Sequence, residues 1–272
     1  MEKRLLLVFA HPDDESFTVG AVVARYVREE GCRVHLLLAT RGEAGKPGNP
    51  PVCSPVMLAI QREREARTAC RILGIERVTF LGFRDGHLAD VPRHHLAIPI
   101  AAYLRTFRPQ VVVTFPPHGI SGHPDHRAIQ QATYAAVTAP GLPDEVARLY
   151  YVTLPASAAE ASRRRVFTDP DEALAATVSG EGYAHVAAAA LAAHRSQHLS
   201  VEAVFPGATR GDATHVRTKS HFLLAWARVP QPAPPRWRPV RRPVSGEQPC
   251  VWPRSCPKVS PQRFDRPIGG NR

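Results

Sequence analysis

Two short clusters of histidine and carboxylate residues carry the chemistry that this sequence offers. The first is His11-Pro-Asp-Asp-Glu15, after the apolar run 5–10, and the second is Gly122-His-Pro-Asp-His126, after the apolar run 111–115. Such side chains bind divalent metals and move protons. Because each cluster follows a run typical of a buried strand, we expect one site assembled from two loops.

Three residues of the clusters form a ligand set for a catalytic metal. Catalytic zinc takes three protein ligands from His, Asp or Glu and keeps one position for water, and His11, Asp14 and His126 supply such a set. Zinc at bond lengths of about 2 Å lowers the pKa of bound water to about 7. Iron(II) accepts the same donors. The clusters therefore predict a zinc site, with iron(II) as the alternative.

The remaining cluster residues suit proton transfer and charge stabilisation. Asp13, next to a predicted ligand but pointing elsewhere, is the candidate base that takes a proton from water. His123 is the candidate group facing an oxyanion, and Asp125 the candidate that fixes the tautomer or basicity of His123. A purely structural alternative is that these residues only cap helices or favour a helix N-terminus. Glu15 is expected to have no further role than that.

Short apolar runs alternate with segments of helical periodicity, in which apolar residues recur at i, i+3, i+4 and i+7. This alternation predicts an α/β fold: a Rossmann-like, doubly wound, mostly parallel sheet with helices on both faces. Ligands bind such sheets beyond the carboxyl ends of the strands, where both clusters fall. The predicted strands are 5–10, 34–39, 78–81, 111–115, 149–152 and 220–227, and the predicted helices are 19–27, 66–73, 129–137 and 183–194.

The composition divides the chain into a body, residues 1–228, and a tail, residues 229–272. The tail has nine Lys and Arg against two Asp and Glu, hence +7 of the net +11, and it contains 11 of the 27 prolines. Such a segment buries too little apolar surface to fold, so we expect disorder. The body has no basic stripe with interleaved aromatics, so nucleic-acid binding is not predicted. Salt-dependent binding through the tail stays an alternative.

Cysteine usage and the N-terminus favour a soluble, cytoplasmic protein. The five cysteines are odd in number and form no C-x-x-C pair, which argues against a disulfide framework. The apolar run 5–10 is too short for a signal peptide or a membrane span. We therefore expect no membrane contact.

The two clusters resemble the signature of the LmbE-like (PIG-L) deacetylases. Further similarity lies at Thr40–Glu43, Arg62–Ile75 and Phe80–Asp85, with a weaker match at His194–Gln197, and it spans roughly residues 3–228. The resemblance implies a zinc-dependent enzyme that removes N-acetyl groups from N-acetylglucosamine conjugates, including precursors of mycothiol and bacillithiol and a GPI-anchor intermediate. It also suggests a homo-oligomer, since trimers and hexamers occur among similar proteins.

The same resemblance assigns roles to individual residues. The metal ligands would be His11, Asp14 and His126. The catalytic groups would be Asp13, His123 and Asp125. The substrate contacts would be Arg41, Glu43, Arg84 and Asp85. Some relatives carry a tyrosine where this chain has Ser121, whose shorter side chain cannot reach the same point, so His123 acts alone or another side chain substitutes.

The leading hypothesis is hydrolysis of an acetamide on a small amino sugar or its conjugate. An alternative within the enzyme class is an amidase acting on other acylated amines or on S-conjugates. An alternative from another class is a non-catalytic protein that binds sugar or metal. We expect the loop 42–55 and the segment 155–182 to select the substrate.

Overall fold

Strands and helices alternate along residues 2–158 and 166–228, the part of the chain that the computed structural model describes. The strands are β1 (Arg4–Phe9), β2 (Arg33–Leu38), β3 (Arg77–Phe80), β4 (Val111–Thr114), β5 (Arg148–Thr153), β6 (Ala176–Ser179) and β7 (Lys219–Ala227). The helices are α1 (Asp14–Thr18), α2 (Gly20–Glu30), α3 (Leu58–Leu73), α4 (Arg93–Phe107), α5 (Gly119–Gly122), α6 (Pro124–Thr138), α7 (Ala184–Ala193) and α8 (His198–Val204).

The strands form one sheet in the order β3-β2-β1-β4-β5-β7-β6. The first five are parallel neighbours, whereas β7 runs antiparallel between β5 and β6. Central strand β1 is apolar at every position from Leu5 to Phe9, and all of these side chains are buried. Such unbroken apolar strands are typical of a parallel sheet covered on both faces.

The helices pack in two groups, α2 with α3 and α7, and α4 with α6. Glycines in the left-handed conformation end α2 at Gly31 (φ 58°) and α3 at Gly74 (φ 82°). Glycine adopts this conformation without the steric cost of a Cβ atom, which is why the helices stop there. The α/β fold with a mostly parallel sheet, predicted from the sequence, is confirmed.

The sequence pattern missed several elements of this fold, namely strand β6 and helices α4, α5 and α8. Strand β6 has only four residues and pairs with one strand, so its pattern is too short to detect. Helix α4 contains Pro99. Proline lacks the amide hydrogen that a helix interior needs, so its presence argues against a helix in the sequence. None of the helices within the described ranges is long and apolar enough to cross a bilayer. The predicted tail, 229–272, lies outside the described residues.

Gly180, just after β6, fixes the close approach of this sheet edge to α2. A Cβ atom on Gly180 would lie 2.4 Å from the backbone carbon of Ala21, so the backbone would have to move. We therefore expect Gly180→Ala to lower the free energy of unfolding by about 1–3 kcal/mol, as overpacking does. Denaturant unfolding measures this change.

The matched control is Gly20→Ala, on α2, the helix that Gly180 approaches. A Cβ atom there would find its nearest neighbour at 3.5 Å, an ordinary contact. This variant should unfold at or above the wild-type denaturant concentration, because alanine favours helix more than glycine does. Equal stabilities of Gly180→Ala and the wild type would contradict the packing described.

Candidate metal centre

The two clusters meet at the carboxyl ends of β1 and β4. His11 lies two residues after β1, and His126 lies in the first turn of α6, which follows β4. Since the strands are parallel neighbours, their ends lie side by side. The ring centroid of His11 is 5.2 Å from that of His126 and 4.9 Å from that of His123. The structure therefore brings together the histidines of both clusters.

His11, Asp14 and His126 form a group of donor atoms that could hold a metal ion. His11 Nδ1 lies 3.2 Å from His126 Nε2 and 3.8 Å from Asp14 Oδ2, and Asp14 Oδ1 lies 3.4 Å from His126 Nε2. Tetrahedral ligands about 2.1 Å from a common ion are about 3.4 Å apart. The spacing and the donor types both fit a divalent ion.

The backbone of the first cluster orients Asp14. Its Oδ2 accepts hydrogen bonds from the backbone N–H of His11 at 2.8 Å and of Ala10 at 3.2 Å. Because these bonds hold Oδ2 against the turn, Oδ1 is the oxygen that faces His126. The carboxylate thus presents a fixed donor to the centre of the group.

Two carboxylates lie behind His11. Its Nε2 donates to Asp85 Oδ1 at 2.9 Å and to Asp125 Oδ2 at 3.2 Å, which leaves Nδ1 facing the ligand group. Burial alone would lower the pKa of His11, but the hydrogen bonds to Asp125 and Asp85 raise it to about 10. A carboxylate behind a ligating histidine fixes the ring and makes it a stronger donor.

The carboxylate of Asp125 supports His11, whereas the sequence analysis expected it to support His123. Its oxygens accept the backbone N–H of Gly86 at 2.7 Å and of Leu88 at 3.0 Å, in addition to His11 Nε2. A second donor group, His11 with His123 and Asp125, also brings its atoms within 4.8 Å. The bonds that Asp125 already accepts make the group with Asp14 the better metal centre.

His126 is held as a neutral ligand. Its Nδ1 lies 3.0 Å from the carbonyl oxygen of Gly119, and its ring stacks on Phe115 at 4.0 Å. Since a carbonyl can only accept, Nδ1 carries the hydrogen and Nε2 is free to bind a metal. Burial and the neighbouring His11 lower the pKa of His126 to about 4. A Cβ atom on Gly119 would lie 2.8 Å from the Cβ of His126, so glycine is required there.

Asp13 occupies a strained turn between His11 and α1. Its φ of 103° and ψ of −26° are left-handed, which is uncommon for a residue other than glycine. The Arg62 guanidinium, buried on α3, contacts Asp13 Oδ2 at 3.2 Å and donates to the carbonyl of Pro12 at 2.5 Å. Burial raises the pKa of Asp13 to about 6, and Arg62 opposes the shift. The Asp13 carboxylate is thus close to a fixed cation, whereas that of Asp14 faces His126.

His123 is the N-cap of α6. Its Nδ1 accepts the backbone N–H of Asp125 at 3.2 Å, so the neutral ring carries its hydrogen on Nε2. Partial burial and the nearby His11 and His126 lower the pKa of His123, which favours this neutral form. Ser121 Oγ lies 3.5 Å from His126 Nδ1, on the side away from the ligand group. Its position gives no support for Ser121 as a replacement for tyrosine.

Of the four residues predicted to contact substrate, two are exposed and two lie behind the metal ligands. Arg41 and Arg84 are exposed, and Arg41 Nε pairs with Glu63 at 3.0 Å. Asp85 is buried behind His11 and also accepts the backbone N–H of Ala44, while Glu43 accepts the backbone N–H of Asp85. Asp85 and Glu43 therefore stand behind the ligands, and Arg41 and Arg84 are the two accessible to a substrate.

The sequence did not predict the buried contacts of three residues near the centre, Arg62, Glu15 and His194. Arg62 lies in the charged run of α3, where an arginine is usually solvated, yet it is buried. Glu15 was expected only to favour the start of a helix, but it is fully buried and paired with His194 at 3.1 Å. Both contacts join segments far apart in the chain, so no local spacing signals them.

Similarity to known proteins agrees with this geometry. Residues 6–137 match the family model described as PIG-L, GlcNAc-PI de-N-acetylase. A Rhodococcus jostii protein named 1D-myo-inositol 2-acetamido-2-deoxy-alpha-D-glucopyranoside deacetylase is 39% identical over 199 residues, 62% of this chain and 68% of that protein. A Thermobifida fusca protein of the same name is 30% identical over 280 residues, 86% of this chain and 96% of that protein.

A solved structure, a conserved protein from Thermus thermophilus, superimposes with a TM-score of 0.59 and 29% identity, covering 88% of this chain and all of that one. The fold and the site thus define an α/β protein with a candidate metal centre at the carboxyl ends of its central strands. The matches in sequence make the assignment more specific. The chain belongs to the PIG-L family.

The support that Asp125 gives to His11 predicts a loss of metal affinity in Asp125→Asn. An amide has only one acceptor atom, so it cannot accept from Gly86, Leu88 and His11 as both carboxylate oxygens do. We expect the dissociation constant for zinc to rise about 10–100-fold. Competition with a chromophoric chelator measures it.

Asp90→Asn is the control for this variant, because Asp90 is exposed and pairs with His87. Its affinity for zinc should equal that of the wild type. If Asp125→Asn also binds zinc as tightly as the wild type, Asp125 does not support the ligand His11.

Proposed function

We propose that the chain is a metal-dependent hydrolase that removes the N-acetyl group from an N-acetylglucosamine unit joined to a second group. The observation that carries the proposal is the meeting of a His-Asp-His ligand group with a second carboxylate, Asp13, whose side chain is 14% exposed and contacts Arg62. Membership of the PIG-L family and relatives named as deacetylases support the N-acetyl bond as the one that is cleaved. We propose zinc as the metal, since two imidazoles and a carboxylate are donors that it favours.

When bound, a divalent ion would polarise the amide carbonyl and acidify water at the ligand group. Asp13 then takes a proton from the attacking water, and the hydroxyl oxygen bonds to the carbonyl carbon. His123 Nε2–H donates to the oxygen that becomes negative, which is the role its N-cap hydrogen bond prepares. Asp13 returns the proton to the nitrogen as the C–N bond breaks, so the products are acetate and a free amine.

The supporting residues keep these groups apart and oriented. Arg62 binds the Asp13 carboxylate while Asp14 faces His126, so one carboxylate serves as base and the other serves as ligand. Asp85 and Asp125 hold His11 from behind. We infer that Arg41, and Arg84 on the neighbouring loop, contact the substrate, because they are the exposed cations among the predicted contacts.

The proposed base predicts that Asp13→Asn abolishes turnover without loss of metal. Asparagine tolerates the left-handed backbone at this position, so the turn should persist, but it cannot accept a proton. We expect kcat to fall about 10²–10⁴-fold, with zinc content unchanged by metal analysis. Exposed Asp144→Asn is the control and should retain wild-type kcat. Full activity in Asp13→Asn would remove Asp13 from the mechanism.

The substrate class is tested by amine release from a panel of N-acetylated sugars with the zinc-loaded protein. The panel contains N-acetylglucosamine, its inositol and malate conjugates and chitooligosaccharides. Because the relatives are named for the inositol glycoside, we expect it to give the highest kcat/KM, by at least about tenfold, one order of magnitude in specificity. Absence of amine release from every member would overturn the sugar assignment while leaving the metal centre to be tested by its own affinity.

A further inference from the structure

Glu15 and His194 form a buried pair that the proposed reaction does not use. Glu15 is 0% exposed and His194 is 1% exposed, and His194 Nε2 lies 3.1 Å from Glu15 Oε1. The Ser16 hydroxyl donates to the same oxygen at 2.7 Å. The pair joins α1, directly after the metal ligands, to the C-terminal end of α7.

The second oxygen of Glu15 reaches the candidate base. Glu15 Oε2 accepts the backbone N–H of Asp13 at 3.2 Å. Asp13 has a left-handed backbone, which persists only where surrounding contacts hold it. Arg62 holds the other side of the turn through the carbonyl of Pro12 and Asp13 Oδ2. Arg62 on α3 therefore holds one side of the Asp13 turn, and Glu15 on α1 holds the other. His194, at the end of α7, in turn pairs with Glu15.

A role confined to the start of a helix does not account for this arrangement. A carboxylate that only favours a helix N-terminus works while exposed to water, whereas removing a charge from water is costly unless it is paired. Buried ion pairs are weak evidence for stability, because apolar residues of similar volume often serve as well. The specific consequence of this pair is the fixed acceptor that it provides for the amide of Asp13.

The segment that carries His194 also holds the loop that follows β2. Gln197 Nε2 donates to the carbonyl of Lys46 at 3.0 Å, and His198 Nε2 lies 2.9 Å from the carbonyl of Asn49. Ser196 donates twice to Glu65, one helical turn after Arg62 on α3. Residues 194–198 thus connect the turn of the base, the helix of Arg62 and the loop in which we expect substrate selection.

We propose that Glu15 and His194 are positioning residues that act together to hold Asp13 in its catalytic position. The expected effect on turnover rests on the proposed function. The positioning of the Asp13 backbone by Glu15 and His194 does not depend on any activity. The pair touches the base through its backbone amide and makes no contact with the ligand atoms of His11 or His126 in the described structure.

The test uses the full-length chain and four variants, Glu15→Leu, His194→Leu, the double variant and Glu15→Gln. In the two single leucine variants kcat should fall about 100-fold, the loss expected for a misplacement of about 1 Å. The KM and the zinc dissociation constant should stay within about threefold of wild type. The double variant should lose no more than either single one, because the two residues form one unit.

The Glu15→Gln variant keeps an oxygen that can accept a hydrogen bond from Asp13 but removes the negative charge of the carboxylate. Its amide oxygen can still accept the N–H of Asp13, so kcat should return to within about tenfold of wild type. His35→Leu is the matched control: His35 is also buried, but it lies on β2, stacked on Phe107 and bonded to Tyr103. It should lose stability and keep wild-type kcat.

A second measurement does not depend on any substrate. Hydrogen–deuterium exchange of residues 12–17 should accelerate at least about tenfold in His194→Leu and in the double variant, because loss of a contact of that segment favours its local opening. In His35→Leu the exchange of these residues should not change. If the wild type proves to have no deacetylase activity, the proposed function fails and this measurement still tests the hold on Asp13.

Two results would overturn the proposal. One is a folded double variant whose kcat stays within about threefold of wild type or whose exchange at residues 12–17 is unchanged. The other is a loss of kcat matched by an equal loss of zinc affinity, which would mean that the pair acts on the ligand Asp14. Should the single variants aggregate because they leave one charged partner buried alone, the double variant, which removes both, carries the test.

Discussion

Backbone hydrogen bonds between β1 and β4 align Leu5 with Val111 and Leu7 with Val113, two segments more than 100 residues apart. Parallel pairing puts both carboxyl ends at the same edge of the sheet, and β1 also pairs with β2 on its other side. Helices leave β1 and β4 into different packing groups, and sheets of this kind bind ligands beyond the carboxyl ends of strands at such a point. Both histidine clusters follow these two strands. The metal centre therefore depends on this one pairing more than on any side-chain contact.

Buried charges surround the centre in a definite arrangement. His11 and His126 point one nitrogen inward and bond the other to a carboxylate or a carbonyl, which fixes their rings. Asp13 and Asp14 are adjacent in sequence, but the left-handed turn at Asp13 directs one to Arg62 and the other to the ligand group. Since two close carboxylates would otherwise share one environment, the turn gives each a separate chemical task.

The sequence alone predicted the sheet and the two clusters because both have local signals: unbroken apolar runs for β1 and β4, and dense polar residues directly after them. It did not predict the contacts behind the clusters. Glu15 and His194 lie 179 residues apart, and the buried guanidinium of Arg62 comes from an ordinary charged helix. Such contacts arise only when the chain is folded, so no spacing reveals them. For the same reason the sequence analysis expected Asp125 to support His123, which is close in sequence, whereas in the structure it supports His11. The oligomeric state and the cytoplasmic location stay predictions.

The central claim is that His11, Asp14 and His126 hold the metal. Anomalous X-ray diffraction at the zinc absorption edge, on crystals grown with zinc, locates the ion without reference to any substrate. The account predicts a single strong peak about 2.0–2.2 Å from His11 Nδ1, an oxygen of Asp14 and His126 Nε2. A peak bound by His123 and Asp125 in their place, or no peak near His11, would contradict it.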